Sequence, residues 1–293
     1  VPELKTGSIL DGKAVAAKMR EDLKKEVDGF VSGGARPPGL SVVLVGDNPA
    51  SELYVRNKIT ACKKTGIESF LERLDASASA AEIIAVIERL NRDERVDGIL
   101  VQLPLPGDLP EKEILEHIDP AKDVDGLHPY NLGCLTAGRE SLRPCTPSGV
   151  VSLLEHYKVP LSGASAVVVG RSQLVGKPAA LLLMEKNATV TICHSRTKDL
   201  SEVIGGADIL VVAMGKSRFV QGSWIKPGAV VVDVGIHYER GEDGKQVITG
   251  DVDFEAAKSV ASLITPVPGG VGPMTVAELL ANTVRSYKKK IGL

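Results

Sequence analysis

Aromatic side chains are scarce in this chain. Phe, Tyr and Trp make up 3% of its 293 residues, with a single Trp, so its core must rest on Val, Leu, Ile and Ala. Neither sign of charge is in excess: 35 Lys and Arg against 37 Asp and Glu leave a formal net charge of -2. That balance offers no footing for nucleic acid, and the basic run Lys288-Lys289-Lys290 reads as a solvated helix end. No apolar run approaches the roughly 20 residues of a membrane span. The N-terminus lacks the charged-then-apolar pattern of a signal peptide, and it opens on Val1, consistent with processing or a cloning remnant. Neither a membrane nor nucleic acid is expected as a partner. The four cysteines, Cys62, Cys134, Cys145 and Cys193, form no CxxC pair, and the five histidines show no ligand spacing. No metal is expected, and a reducing compartment, the cytoplasm, fits best.

What is present is an alternation of short apolar runs with helical patterns. Ser41–Val45, Gly98–Leu103, Ala166–Val169, Val190–Cys193, Ile209–Ala213 and Val230–Val234 are nearly continuous in β-branched and aliphatic residues. Strands covered on both faces need that composition. Ala81–Asn91, Val150–Tyr157, Gly176–Lys186 and Val276–Lys289 carry helical spacing, and Thr146-Pro147 reads as an N-cap followed by a first-turn proline. The expected class is α/β with parallel sheets. There is no internal repeat. The division expected is 1–147 for one lobe and 148–274 for a second, with the final helix, 275–293, packing back onto the first.

Ala166–Pro178 is strand, glycine turn and helix. A helix N-terminus carries free N–H groups and a positive dipole end, which suit a phosphate. The spacing departs from GxGxxG: Gly170 is present, Ser172 replaces the second glycine, and Gly176 comes one residue late. An ordinary βα turn stays open as the alternative. The next strand ends in His194-Ser195-Arg196 with no carboxylate. A hydroxyl beside a guanidinium suits the 2′-phosphate of NADP better than the bare ribose of NAD, and Arg171 could add to it. A solvated surface arginine is the alternative for Arg196.

Asn48-Pro49-Ala50-Ser51 opens a helix carrying Tyr54 and Lys58 at i and i+4, on one face. A ring can stack and a lysine can move a proton, although such a pair also suits a plain amphipathic face. Gln102 closes an apolar strand before Leu103-Pro104-Leu105-Pro106, and α/β proteins place ligands at such strand ends. Asp123-Val124-Asp125-Gly126 is a carboxylate turn: Asp125 could hold an aminopyrimidine edge, or merely close an Asx turn. PVPGGVGPMT, Pro266–Thr275, combines fixed φ with glycine freedom. It suits either a rigid wall for a flat ligand or an awkward interdomain turn.

Taken together, YVRNK (Tyr54–Lys58), VQLPLP (Val101–Pro106), KDVDG (Lys122–Gly126), PCTPSG (Pro144–Gly149), VVGRSQLVGKP (Val168–Pro178) and PVPGGVGPMT resemble the bifunctional methylenetetrahydrofolate dehydrogenase/cyclohydrolase family, the FolD-like enzymes. The resemblance spans essentially the whole chain in the family's order. It implies two α/β lobes around a cleft, the second a Rossmann-type NADP domain, a tetrahydrofolate substrate in the cleft, and a homodimer. It implies Lys58 as the catalytic lysine, with Tyr54, Gln102 and Asp125 beside it in the catalytic set. Tyr54, Lys58, Gln102, Leu103, Pro104, Asp125, Pro266, Gly269 and Gly270 would bind the folate. Gly170, Arg171, Ser172, Val175, Gly176, Ser195 and Arg196 would bind NADP. Cys145 lies inside a family motif and is expected to pack. With the chain stopping at Leu293, no fused formate-activating domain is expected. The competing reading is another two-lobe NADP-dependent dehydrogenase, acting on a small hydroxy acid or a shikimate-like substrate.

Overall fold

A computed structural model of the chain describes residues 6–240, 244 and 246–293. Its strands are β1 Ser8–Ile9, β2 Gly39–Val45, β3 Glu68–Leu74, β4 Gly98–Val101, β5 Ser165–Val169, β6 Thr189–Cys193, β7 Ile209–Val212, β8 Val230–Asp233, β9 His237–Arg240, β10 Gln246–Thr249 and β11 Leu263–Ile264. The chain forms two compact units. One takes residues 17–145 and 276–293 around a three-stranded sheet; the other takes residues through Ala16 and 146–275 around a six-stranded sheet.

The three-stranded sheet runs β3-β2-β4, all parallel. Every residue of β2 is buried, so both of its faces must be covered. Successive side chains of a strand point to opposite faces, and β2 divides accordingly. Leu40, Val42 and Leu44 pack with Val55 and Cys62 of the helix Pro49–Thr65 and with Leu279, Leu280 and Val284 of the helix Val271–Lys290. Val43 and Val45 pack with Ile83 and Ile87 of the helix Ala80–Arg92. Each such aliphatic side chain contributes about 1.5–3 kcal/mol by leaving water.

A buried carboxylate ties this sheet's lower end. Asp97 accepts both guanidinium nitrogens of Arg36 at 2.7 Å and the Gly39 N–H at 2.8 Å. Removing it leaves the buried Gly39 N–H without its acceptor and strips Arg36 of its counter-charge, leaving that guanidinium only the carbonyls of Pro37 and Glu94. Asp97→Ala should therefore cost about 2–4 kcal/mol, because one partner of a buried pair is deleted while the other stays. The urea-unfolding midpoint reads this directly; an unchanged midpoint would make the pair dispensable.

The six-stranded sheet runs β1-β11-β8-β7-β5-β6 and is parallel throughout. From β5 the chain moves outward to β6 and then returns to β7 on the other side of β5. The carboxyl ends of β5 and β7 thus flank a topological switch point, where doubly wound sheets bind ligands. β9 and β10 form a separate antiparallel hairpin.

Several boundaries differ from the sequence reading. Residues through Ala16, expected in the first lobe, join the six-stranded unit because β1 adds to β11 as an edge strand, Ser8 opposite Leu263. The final helix begins at Val271 and changes unit after Thr275. β4 ends at Val101, short of Leu103. Gln102 N–H still reaches the Val43 carbonyl at 2.9 Å, but Pro104 and Pro106 beyond it have no N–H to extend a ladder. Thr146 is inside the helix Cys145–His156 and not its cap; its hydroxyl meets that of Thr275 at 3.0 Å.

Candidate active site

In the three-stranded unit, the helix Pro49–Thr65 starts where the sequence places it. Asn48 Oδ1 accepts the N–H groups of Ala50 and Ser51, and Pro49 occupies the first turn. Tyr54 and Lys58 follow one turn apart, Tyr54 exposed and Lys58 half-buried. Lys58 Nζ donates to Gln102 Oε1 at 2.9 Å. Gln102 is itself buried, and its Nε2 donates to the Leu103 carbonyl at 2.6 Å. That second bond fixes the amide so that its oxygen faces the lysine. Leu103 and Pro104 follow through a cis peptide bond.

The two aspartates of the carboxylate turn part company. Asp123 is buried, and its Oδ2 accepts the His128 N–H at 2.8 Å and Asn131 Nδ2 at 2.9 Å. Asp123 is therefore the residue that holds the turn, while Gly126 closes it at φ 73°. Asp125 is only half-buried and faces Lys58 and Cys145 electrostatically. Burial lowers the Lys58 pKa from the ordinary 10.5, with Asp125 and Cys145 opposing it. Burial raises that of Asp125, opposed by Lys58 and reinforced by Asp123. A lysine with its charge partly disfavoured beside a carboxyl with the same bias can exchange protons nearer neutrality than either could in water.

Cys145 is buried, and its thiol donates to the Val124 carbonyl at 3.1 Å. Burial and then Asp125 push it well above 9, so it stays a thiol and packs. Asn282 escaped the sequence reading. Its Nδ2 spans the carbonyls of Val124 and Arg143 at 2.9 and 2.8 Å, bracing the Asp125 turn from the last helix. The only sequence signal was an amide among the apolar residues of that helix.

In the six-stranded unit, Gly170, Arg171, Ser172, Val175 and Gly176 form the turn between β5 and the helix Gly176–Glu185. A Cβ on Gly176 would collide with the Gly170 carbonyl, so glycine at 176 lets the helix start press against the turn. The helix end is less open than expected, because Ser172 Oγ accepts the N–H groups of Val175 and Gly176 at 3.1 and 3.3 Å. Among the described residues the N–H groups of Arg171–Leu174 have no acceptor. A turn bounded by two glycines and carrying free donors fits a dinucleotide pyrophosphate. Ser195 and Arg196 follow β6 at the same edge, since β6 lies beside β5 and Gly170 N–H reaches the Cys193 carbonyl at 2.9 Å. Both are exposed, as is Arg171, and neither guanidinium is paired among the described residues.

Pro266, Gly269 and Gly270 lie in this same unit. The Gly270 N–H closes onto the Pro266 carbonyl at 2.9 Å, and Lys13 N–H donates to the Gly269 carbonyl at 2.9 Å. The stretch is a braced turn with Pro268 exposed at its tip.

Two family models match. The tetrahydrofolate dehydrogenase/cyclohydrolase catalytic domain covers residues 10–125, and the NAD(P)-binding domain of the same family covers 144–291. A bifunctional protein FolD of Maridesulfovibrio salexigens is 53% identical over 97% of this chain and 99% of its own length. A crystal structure of the FolD methylenetetrahydrofolate dehydrogenase/cyclohydrolase of Campylobacter jejuni has a TM-score of 0.92 at 48% identity, covering 97% of this chain and 99% of that one. The Trypanosoma brucei FolD, solved with NADP and an inhibitor, has a TM-score of 0.91 at 39% identity and covers 97% and 98%.

Proposed function

The chain belongs to the tetrahydrofolate dehydrogenase/cyclohydrolase family, and from that premise we propose how its residues divide the work. It is a bifunctional enzyme: it oxidises 5,10-methylenetetrahydrofolate to the methenyl form with NADP and hydrolyses the product to 10-formyltetrahydrofolate. The observation that carries the division is the Lys58–Gln102 hydrogen bond with Asp125 facing the lysine.

NADP, when bound, accepts a hydride from the one-carbon bridge. No proton moves in that step, so the protein's part is orientation. Asp125 holds the pterin through its aminopyrimidine edge. Tyr54 offers its ring as a stacking surface, and the Leu103-Pro104 segment limits where the folate can lie. The Gly170–Gly176 turn cradles the pyrophosphate, and Ser195 and Arg196, with Arg171, take the 2′-phosphate.

Hydrolysis needs a proton carrier. Water attacks the methenyl carbon, and neutral Lys58 takes one of its protons as the C–O bond forms. The resulting ammonium gives that proton to N5 as the C–N5 bond breaks. The remaining hydroxyl proton leaves to solvent as the formyl carbonyl forms. Gln102, held by Leu103, keeps Nζ aimed at the water.

The alternative, a dehydrogenase of a hydroxy acid or shikimate-like substrate, is not favoured, since both matching models are of the folate family. A substrate screen tests this: NADPH should appear with methylenetetrahydrofolate and not with shikimate. The chain is proposed to act as a homodimer in the cytoplasm. In support, β6 leaves one edge without a strand partner among the described residues, with Ile192 and Met184 exposed near it. All four cysteines are free and buried, which is compatible with a reducing compartment.

Cofactor choice has its own test. A charge-assisted hydrogen bond contributes about 1.5–3 kcal/mol, so Arg196→Ala should weaken NADP by tens-fold and leave NAD little changed. Equal losses for both cofactors, measured by titration, would make Arg196 a surface charge.

A further inference from the structure

Asp251 lies outside every motif that carries the family resemblance, yet it is fully buried and its carboxylate has four hydrogen-bond partners. Its Oδ2 accepts the N–H groups of Met214 at 2.7 Å and Gly215 at 3.0 Å. Its Oδ1 accepts the Lys216 N–H at 2.9 Å and faces His237 Nε2 at 2.7 Å. Three successive backbone donors converging on one carboxylate leave the segment Met214–Lys216 little freedom.

That segment follows β7 directly, at the switch point. Ala213 N–H reaches the Val169 carbonyl at 2.8 Å, and a Cβ on Gly170 would collide with the Ala213 carbonyl. The loop that Asp251 holds is therefore packed against the glycine turn after β5. The other side of Asp251 is equally determined. Asp233, at the end of β8, accepts the N–H groups of Asp251 and Val252 at 2.9 Å each. The two carboxylates interlock with two glycines: a Cβ at Gly235 would strike Asp251 Oδ1, and one at Gly250 would strike Asp233 Oδ2. Asp233 N–H in turn donates to Thr265 Oγ1 at 2.7 Å, immediately before the Pro266 turn. One continuous chain of hydrogen bonds links the Pro/Gly turn, β8 and the loop beside Gly170, all within the six-stranded unit.

We propose that Asp251 is a positioning residue for the dinucleotide site: it clamps Met214–Lys216 against the Gly170 turn so that the crevice at the switch point is preformed for NADP. The inference rests on the functional reading above only in taking NADP as the ligand. Preformation matters because a loop that must order on binding subtracts its ordering cost from affinity. Asparagine at 251 keeps the shape but puts an NH₂ group where an oxygen now accepts. Either amide orientation sets that group against backbone donors.

Isothermal titration of NADP into the Asp251→Asn protein tests the proposal, with NADP-free hydrolysis of methenyltetrahydrofolate as a second readout. NADP should bind about tenfold more weakly, as for the loss of one charge-assisted acceptor, and KM for NADP should rise in step. Hydrolysis, which uses the Lys58 cluster of the other unit, should stay within about twofold. The proposal is overturned if NADP affinity stays within about twofold of the unaltered protein. It is equally overturned if hydrolysis falls by the same factor as NADP binding, or if the variant does not fold, either of which makes Asp251 a general structural element. Should the unaltered protein bind NADP but turn over no folate, the functional reading fails, while the calorimetric comparison, with thermal unfolding as its folding control, still decides the role of Asp251.

Discussion

Lys58→Met should nearly abolish hydrolysis of methenyltetrahydrofolate and leave a substantial part of the oxidation of methylenetetrahydrofolate. Methionine keeps the length and apolar contacts of the stem and deletes the ammonium. Oxidation transfers hydride without a proton, so only the second reaction loses a chemical participant. General acid–base groups contribute about 10²–10⁴-fold, which sets the size of the loss. The structure adds a reason why this lysine can serve. Burial lowers its pKa from the ordinary 10.5, which raises the fraction of free amine near neutral pH. Lys58→Arg separates charge from proton transfer, because a guanidinium keeps its proton at any working pH. Arginine should not restore hydrolysis. If it does, Lys58 acts by charge alone; if both activities fall equally in Lys58→Met, the lysine is a substrate anchor and the base lies elsewhere.

Asp125→Ala should damage both reactions together, because both need the same folate pose. Losing a charged acceptor costs about 1.5–3 kcal/mol, or roughly 10- to 150-fold in folate affinity. The neighbouring Asp123 makes the comparison clean: it already supplies the bonds that hold the turn, so deleting Asp125 should leave the fold intact. Asp125→Asn adds a pH signature. Asp125 raises the Lys58 pKa against burial. Neutralising it removes that support, so the Lys58 pKa falls further and the ascending limb of hydrolysis against pH moves to lower pH. A profile that does not move would show that the two groups are uncoupled. Folate affinity unchanged in both variants would remove Asp125 from the site.

How far the sequence reaches can be followed residue by residue. β5, β7 and β8 are runs of Val, Ile and Leu bounded by turn residues, and a strand buried on both faces has no other common composition. Lys58 and Gln102 were readable because helical spacing and the strand-end rule each place one of them. β3 escaped the reading: ESFLERL is an exposed edge strand, and its charges hide the period. The resemblance gives Ser172 to the NADP site, although a serine four residues before Gly176 can also take the helix's first donors, as it does. The two aspartates of DVDG cannot be told apart by spacing, because which one turns inward depends on His128 and Asn131 arriving from the next helix. Asp251 and Asp233 were invisible for the same reason. Asp251 follows Gly250 and Asp233 stands two residues before Gly235, so each looks like a turn residue until the fold brings the two together.

The account is tested most directly by mixing methylenetetrahydrofolate and NADP with either the unaltered protein or Lys58→Met, while following NADPH and the methenyl product at separate wavelengths. The unaltered protein should form NADPH with little methenyl accumulating, and Lys58→Met should form NADPH with methenyl product building up alongside it. No NADPH from the unaltered protein, or methenyl product cleared as fast by Lys58→Met as by the unaltered protein, would contradict it.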